Sequence, residues 1–446
     1  MRLHDTFLGH LDGLPGFSES AFVDAHLRPP PTSIRVNPYK PVSIPYEREP
    51  IPWSSNGFYL TNRPSFTFDP LFHAGTYYVQ EASSQLLEQF LIQSVDLEKP
   101  LRVLDLCAAP GGKSTHLLSL LNKDSLLVSN EVIRSRAGIL SDNLDRWGCS
   151  NIVVTQEDPS VLGRLSGFFD VIVADAPCSG SGLFRKDEEA MGHWSLSAVA
   201  HCAARQNRIL RDIWPALREG GILIYSTCSF SREEDEMIVS DLLTEFDAEL
   251  IPISYPDQWG IVSTEIGYRC WPHAIRGEGF FISAIRKRSA AKGASSRNRL
   301  NLNELSVAAK LELSSWWQLN EYDLFEWNDT CWALPISQVG WVHQIGSVCT
   351  PLRIGTRLGA WSRKDWIPDH ALALSLHRSS SIPTHSLDRD ESIRYLQKGV
   401  IDPSGLSKGW QVVTYLDQAM GWVKGLGNRV NNYYPTHLRI LKQSIS

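Results

Sequence analysis

Two cysteines stand just past apolar runs, at places where a thiol could do chemistry. Cys178 lies in ADAPCSGSG, and Cys228 lies in YSTCSF. A lone cysteine is usually a small buried hydrophobe. We expect that structural role for five others, Cys149, Cys202, Cys270, Cys331 and Cys349. Two thiols at strand ends, one of them beside Asp175, predict a reactive pair instead.

The elements that must position these thiols alternate regularly from about Leu101 to Arg286. Apolar strands are predicted at LRVLDL, LLVSNE, NIVVTQED, FFDVIVADAP and GILIYSTC. Helices are predicted at GGKSTHLLSLL, SRAGILSDNLDRW and around AARQNRILRDIWPALREGG. This alternation predicts an α/β fold with a parallel, doubly wound sheet. In that order the fourth and fifth strands lie beside the first, so both cysteines open into the crevice at the first strand's carboxyl end.

The turn after the first strand, CAAPGGKS, is the predicted cofactor loop. A phosphate-binding P-loop needs glycine where Cys107 stands, and a GxGxxG fingerprint is absent. What remains is a run of small residues in which Gly111 and Gly112 let a ligand approach the backbone closely. A short glycine turn without phosphate machinery favours an adenosine that carries no phosphates. S-adenosyl-L-methionine is therefore the predicted cofactor.

Acidic residues end or follow the next three strands. Glu131 ends the second strand, where a carboxylate can accept both hydroxyls of a ribose. Asp158, in TQEDPS, could meet an adenine amino group, although an ordinary turn acid is the alternative. Asp175 ends the fourth strand, beside Cys178.

Methylation of a pyrimidine carbon would use such a pair of thiols. The C5 carbon of cytosine is a poor nucleophile, but a thiolate added at C6 makes C5 able to attack a sulfonium methyl. Asp175 could act near N3 as the acid that stabilises the developing charge. A free thiol is mostly protonated at neutral pH, so the attacking cysteine needs activation whose source the sequence does not show.

These motifs resemble a known family. LDLCAAPGGKSTHL, DAPCSGSGLFRK and YSTCSFSREEDE look like the signature motifs of the Sun-type RNA (cytosine-C5) methyltransferases, and YVQEASSQLL and RCWPHAIRGEGFFISAIRK resemble their flanks. The tail, with LRIGTRLGAW, HALALSL and GWVKGLGNRVNNYYPTHLR, is similar to the bacterial small-subunit rRNA branch, type F. The resemblance implies a class I, Rossmann-like methyltransferase fold with an N-terminal α+β extension and a C-terminal PUA-like α/β or β-rich module.

The resemblance also implies residue roles. Cys228 would be the nucleophile that attacks C6 during methylation of cytosine C5 in RNA, most of all in 16S rRNA. Cys178 would help to release the product. DNA cytosine methyltransferases reverse this and attack with the thiol equivalent to Cys178. The implied cofactor contacts are Cys107, Ala108, Ala109, Pro110, Gly111, Gly112, Lys113, Glu131, Asp158 and Asp175. Asp158 is followed by Pro159, where the family commonly has a small residue.

Composition shifts divide the chain of 446 residues. The first hundred residues are broken by proline, which excludes long helices there. The predicted domains are an RNA-binding-like extension (1–95), the catalytic domain (96–288), a basic linker (289–300), an accessory domain (301–380) and a PUA-like RNA-binding domain (381–446).

The net charge of the chain limits the ways in which it could bind RNA. The net charge of −6 is not the footprint of a general nucleic-acid binder, so we expect a shaped target such as a ribosomal subunit or its precursor. Arg185 and Lys186 are placed to meet phosphate near the flipped base, and solvated loop charges are the equal alternative. The linker stretch RKRSAAKGASSRNR could also touch phosphate.

The same sequence predicts a cytoplasmic monomer with no membrane span and no metal site. The first residues, MRLHDTFLGHLDGLPG, lack the apolar core of a signal peptide, and no Cys/His group has zinc spacing. Three alternatives stay open: methylation of transfer RNA, methylation of DNA, and a ribosome-assembly factor in which binding matters more than catalysis.

Overall fold

The computed structural model describes residues 3–290, 300–318, 320–363 and 365–443. Most of the predicted basic linker (289–300) therefore lies outside the described residues. The N-terminal extension is built around a small antiparallel sheet with the strand order β2-β3-β1-β4. Its helices have at most eight residues, as the frequent prolines predict. The elements are α1 (Asp5–Leu11), α2 (Glu19–His26), β1 (Thr32–Val36), β2 (Arg48–Pro50), β3 (Gly57–Leu60), α3 (Pro70–His73) and β4 (Tyr77–Val79).

The central part alternates strands with helices. Its elements are α4 (Leu87–Ser94), β5 (Arg102–Asp105), α5 (Gly112–Leu120), β6 (Leu126–Asn130), α6 (Arg134–Trp147), β7 (Ile152–Thr155), α7 (Pro159–Leu162), β8 (Phe169–Asp175), α8 (Glu188–His193), α9 (Leu196–Ile213), β9 (Leu217–Thr227), α10 (Glu236–Glu245), β10 (Ala248–Leu250), β11 (Val262–Ser263), β12 (Tyr268–Cys270) and β13 (Phe280–Lys287). Strands β7, β6, β5, β8 and β9 run parallel in that order, and β13 adds antiparallel to β9. The predicted doubly wound order is confirmed.

Burial on both faces explains the continuous apolar strands. Neighbouring residues of β5, Val103 and Leu104, belong to different hydrophobic cores, one on each side of the sheet. The predicted long helix ends earlier than expected, at Ile213. A 3₁₀ turn at Trp214–Ala216 contains proline, and the LREGG segment then joins β9.

The C-terminal part forms two further sheets and lengthens the central one. Its elements are β14 (Asn303–Glu304), α11 (Val307–Leu313), β15 (Tyr322–Trp327), β16 (Thr330–Pro335), α12 (Val339–Ile345), β17 (Arg353–Ile354), β18 (Thr356–Ser362), β19 (Asp365–Pro368), α13 (His370–Leu374), β20 (Thr384–Ser386), α14 (Arg389–Leu396), β21 (Gly409–Tyr415), β22 (Gln418–Gly425) and β23 (Val430–Asn432). The sheet orders are β14-β15-β16-β18-β19 and β20-β21-β22-β23, the latter in the PUA-like module.

The short strand β17 pairs antiparallel with β7 and so becomes the edge of the central sheet. Its first residue, Arg353, is 2% exposed, and its Nη1 lies 2.6 Å from Asp145 Oδ1 on α6. The same guanidinium donates to the carbonyl oxygens of Gly355 and Ser141. The C-terminal part is thus joined to the central sheet by backbone pairing and a buried ion pair.

Four of the five cysteines expected to be structural are buried, namely Cys149, Cys270, Cys331 and Cys349. The prediction that Cys202 is buried is wrong, because this residue on α9 is only half-buried. Among the described residues, no helix combines the length and apolarity that crossing a membrane requires. Within the same residues, no group of three or more His, Cys, Asp or Glu is arranged to hold a metal ion.

Candidate active site

The structure brings the two strand-end thiols together. Asp175 and Ser226 are partners in the parallel pairing of β8 and β9, so the loops that follow start side by side. The Sγ atoms of Cys178 and Cys228 lie 3.2 Å apart, and both residues are half-buried. The hydrogen bond to Cys228, and then burial, raise the pKa of Cys178 well above its ordinary value. One thiol of the pair therefore stays protonated at neutral pH.

A cation lies beside this pair. Lys113 Nζ is 2.7 Å from Asp175 Oδ2, and the hydroxyl of Ser226 donates to the other carboxylate oxygen at 3.0 Å. Burial lowers the pKa of Lys113, but attraction to Asp175 outweighs it, and Cys228 contributes in the same direction. The net pKa lies above the ordinary value, so the ammonium is kept charged next to the thiols.

The predicted cofactor loop is a tight turn between β5 and α5. Gly111 has a φ of +114°, in the region that favours glycine, and a Cβ added at Gly112 would come 3.3 Å from a Tyr78 ring carbon. Two loop carbonyl oxygens, those of Ala109 and Pro110, accept hydrogen bonds from side chains of α6 at 2.6 Å each. Burial raises the pKa of Cys107, so this thiol stays protonated and unreactive at neutral pH.

Glu131 directly follows β6, one residue beyond the observed end of the strand, and it is buried. One carboxylate oxygen accepts from the Ile133 backbone N–H at 2.9 Å, and the other lies 3.3 Å from Arg136 Nη1. Arg136 also donates to Ala109, so it ties this acid to the cofactor loop. Each carboxylate oxygen accepts more than one hydrogen bond, which leaves capacity for ribose hydroxyls.

Asp158 is at the expected strand end but is engaged elsewhere. Its side chain caps α7 through the N–H and hydroxyl of Ser160 and forms an ion pair with Arg208 at 3.2 Å. The carboxylate is 45% exposed, and its contacts among the described residues do not include the cofactor loop. An adenine contact by Asp158 stays a prediction.

The prediction that Arg185 meets phosphate is corrected by its surroundings. Its side chain is 6% exposed and donates to the carbonyl oxygens of Gly277 and Pro29. Glu278 lies 3.6 Å from the same guanidinium. Arg185 therefore links the catalytic loop to the N-terminal extension, while Lys186 remains exposed, as a phosphate contact would require.

Two buried acids of the site were missed in the sequence. Burial raises the pKa of Asp105, at the end of β5, to about 7, and the Ser114 hydroxyl donates to it at 2.6 Å. Glu234 is fully buried and contacts the residues that follow both cysteines. In the sequence, Asp105 lies within an apolar strand and Glu234 is one of several charges in the polar run SREEDE. Neither pattern indicates a buried acid at the active site.

The residues of the crevice fit S-adenosylmethionine. The loop offers a close backbone approach, Glu131 stands at the ribose position of nucleotide-binding α/β folds, and no phosphate-binding motif is present in the sequence. Beneath the loop, Asp105 Oδ1 is buried and has no hydrogen-bond partner among the described residues. An acceptor is thus left for a donor of the bound ligand.

Comparison with known proteins agrees with this geometry. Residues 92–286 match the family described as 16S rRNA methyltransferase RsmB/F, residues 3–82 match the N-terminal domain of RsmF, and residues 382–440 match the RsmF PUA domain. A methyltransferase homolog from Pyrococcus horikoshii is 31% identical, with a TM-score of 0.51 over 64% of this chain and all of that one. NSun6 from the same organism, solved with the S-adenosylmethionine analogue SFG, shares the fold at 20% identity and a TM-score of 0.53, over 64% of this chain and 97% of that one.

The curated relatives extend the match to nearly the whole chain. Ribosomal RNA small subunit methyltransferase F of Aeromonas salmonicida is 31% identical over 98% of this chain and 97% of the relative. The protein of the same name from Aliivibrio salmonicida is also 31% identical, with the same coverage. This chain is therefore an S-adenosylmethionine-dependent methyltransferase that belongs to the ribosomal RNA small subunit methyltransferase F family.

Proposed function

We propose that this enzyme methylates C5 of a cytosine in small-subunit ribosomal RNA through a covalent bond between Cys228 and the C6 carbon of the base. The observation that carries the proposal is the thiol pair, with its Sγ atoms 3.2 Å apart, beside the Lys113–Asp175 ion pair at the edge of the cofactor loop. Relatives named for small-subunit ribosomal RNA supply the substrate class.

The first step needs a thiolate and an acid. Cys228 adds to C6, and the Lys113 ammonium favours the negative sulfur that attacks. Asp175 accepts the proton that the Cys228 thiol gives up and passes it to N3, so that this proton neutralises the negative charge that moves toward N3, and it takes the proton back once C5 is methylated; Lys113 and Ser226 hold the carboxylate in place. S-adenosylmethionine, when bound, would supply the methyl group as an electrophilic carbon on its sulfonium sulfur: the C5–CH3 bond would form as the S–CH3 bond breaks, with S-adenosylhomocysteine as the leaving group.

Release then needs a leaving group. Water takes the C5 proton, the electron pair left behind re-forms the C5=C6 double bond, and the C6–S bond breaks so that sulfur leaves as the Cys228 thiolate. Cys178, which stays protonated, donates a hydrogen bond to that sulfur as it leaves. This assigns attack to one thiol and release to the other.

Cysteine variants test the assignment directly. Cys228→Ala should form neither 5-methylcytosine nor an RNA adduct, whereas Cys178→Ala should accumulate a protein–RNA adduct that survives a denaturing gel. Cys202→Ala, a half-buried thiol on α9, is the matched control and should behave as wild type. An active Cys228→Ala together with an inactive, adduct-free Cys178→Ala would overturn the proposal in favour of the DNA-type assignment.

Separated RNA pools test the substrate. We expect methylation of small-subunit ribosomal RNA, and more of it in the assembled subunit than in naked RNA, because the net charge of −6 provides little general attraction. The exposed Lys186, the N-terminal extension and the PUA-like module are the proposed contacts. Methylation confined to the transfer RNA pool would support the alternative substrate instead.

A further inference from the structure

A single buried carboxylate joins the two catalytic loops. Glu234 Oε1 accepts from the backbone N–H of Ser179 at 2.7 Å, and its Oε2 accepts from the Ser179 hydroxyl at 2.6 Å. The same Oε2 accepts from the hydroxyl of Ser229, also at 2.6 Å. Ser179 and Ser229 directly follow Cys178 and Cys228, so one side chain bonds to the neighbour of each thiol.

The surroundings make this carboxylate a rigid link. Glu234 is fully buried, and its backbone carbonyl accepts from the Tyr225 hydroxyl at 2.5 Å. Gln206 on α9 donates to the Pro177 carbonyl at 3.1 Å and lies 3.4 Å from Glu234 Oε1, so the Cys178 loop is held from a second side. The Cys228 carbonyl also accepts from the Gly182 N–H at 2.8 Å.

We infer that Glu234 is a positioning residue that holds the Cys178 thiol against the Cys228 sulfur and thereby sets the rate at which the methylated RNA is released. The inference rests on the proposed function, because release matters only if Cys228 bonds to the base. Buried hydrogen bonds from both loops fix the thiol separation more tightly than a solvated side chain could. In support, the charge of Glu234 is among the groups that raise the pKa of Cys178, after Cys228 and burial.

Two variants separate geometry from charge. Glu234→Asp keeps the charge but is one methylene shorter, so it cannot reach both loops. Glu234→Gln keeps the length, removes the charge and replaces one acceptor with a donor. We expect both to slow adduct release about 10- to 100-fold, since catalytic groups displaced by about 1 Å lose that much. Adduct formation should change less, so adduct accumulates in single-turnover reactions.

The pH profile gives a readout that a merely structural role would not move. Removing the negative charge lowers the pKa of Cys178, so in Glu234→Gln this thiol should ionise, and release should fall, at lower pH than in wild type. Glu234→Asp should keep the wild-type profile at a lower overall rate. Alkylation of Cys178, followed by peptide mass spectrometry across the same pH range, should shift in parallel.

Glu233→Gln is the matched control, because this neighbouring acid is 39% exposed and faces His10 at 3.3 Å. If Glu234→Gln does not fold, Ser229→Ala removes one donor to Oε2 and should slow release several-fold. A Glu234→Gln enzyme that releases RNA as fast as Glu233→Gln would overturn the inference alone. A wild-type enzyme that forms no RNA adduct would instead overturn the proposed function.

Discussion

The buried pair of Arg353 and Asp145 gives a prediction whose size and pH dependence can both be worked out. Burial raises the pKa of Asp145 from 3.8 to about 6, even with Arg353 in place. At about 1.4 kcal/mol per unit, the ionised carboxylate costs the fold about 3 kcal/mol at neutral pH. Because the folded pKa is the higher one, the contribution of this carboxyl group to stability is fully present below about pH 4 and is lost as pH rises through 6.

Arg353→Met removes the cation and leaves the acid buried. The pKa of Asp145 then rises further, so the variant keeps its proton where the wild type has released it. The destabilisation relative to wild type at pH 5 should reflect only the lost hydrogen bonds to Gly355 and Ser141, and it should grow by about 1.4 kcal/mol per pH unit above 6. By pH 8 the full loss should reach about 3–5 kcal/mol, as expected when one partner of a buried pair is removed.

Urea denaturation at pH 5 and at pH 8 measures both values. Asp145→Asn combined with Arg353→Met removes both charges and should recover the pH-dependent part of the loss at pH 8, which makes it the internal control. A destabilisation that is equal at the two pH values would refute the reasoning, because the loss would then come from packing and not from the stranded carboxylate.

Four further predictions concern the site. Glu131→Gln should weaken S-adenosylmethionine binding about 10- to 100-fold by calorimetry, because hydrogen bonds to a charged acceptor are worth about 1.5–3 kcal/mol; an unchanged Kd would remove Glu131 from the ribose site. Lys113→Met should slow alkylation of Cys228 at pH 7.5 about tenfold, with an unaltered rate arguing against activation by this ammonium. Asp158→Ala should cost about 1 kcal/mol of stability through the lost helix cap; a tenfold loss of cofactor affinity would establish the predicted adenine contact, and an affinity unchanged within twofold would exclude it. Lys186→Gln should lower the slope of log affinity for RNA against log salt concentration by about 0.7. Arg185→Gln, which changes a buried side chain, should lower the thermal midpoint and leave that slope unchanged.

The order of the central sheet and the meeting of the two thiols could be predicted from the sequence. Both follow from the regular alternation of apolar strands and amphipathic helices, because parallel strands in a doubly wound sheet end at one edge. The cap at Asp158 could also have been found, since an acid before proline typically begins a helix. The structural role of Arg185 could not have been predicted, because its partners, the carbonyl oxygens of Gly277 and Pro29, are far away in sequence.

The remaining features depend on contacts that leave no periodic pattern. Lys113 reads as part of a glycine turn, and only the fold places it 2.7 Å from Asp175. Glu234 lies among other acids, and its burial depends on two loops that approach from different strands. A strand as short as β17 shows no alternation of apolar and polar residues from which its pairing with β7 could be predicted.

The pairing of β17 with β7 has a consequence for any attempt to isolate the catalytic part. A fragment that stops near residue 288 would lack β17, so the carbonyl oxygens of Ile152 and Val154, which now accept from the backbone N–H groups of Gly355 and Leu352, would be left open at an unpaired sheet border. Such borders recruit strands from other molecules. The excised fragment should therefore self-associate, and the tail serves the catalytic part as a built-in cover against aggregation.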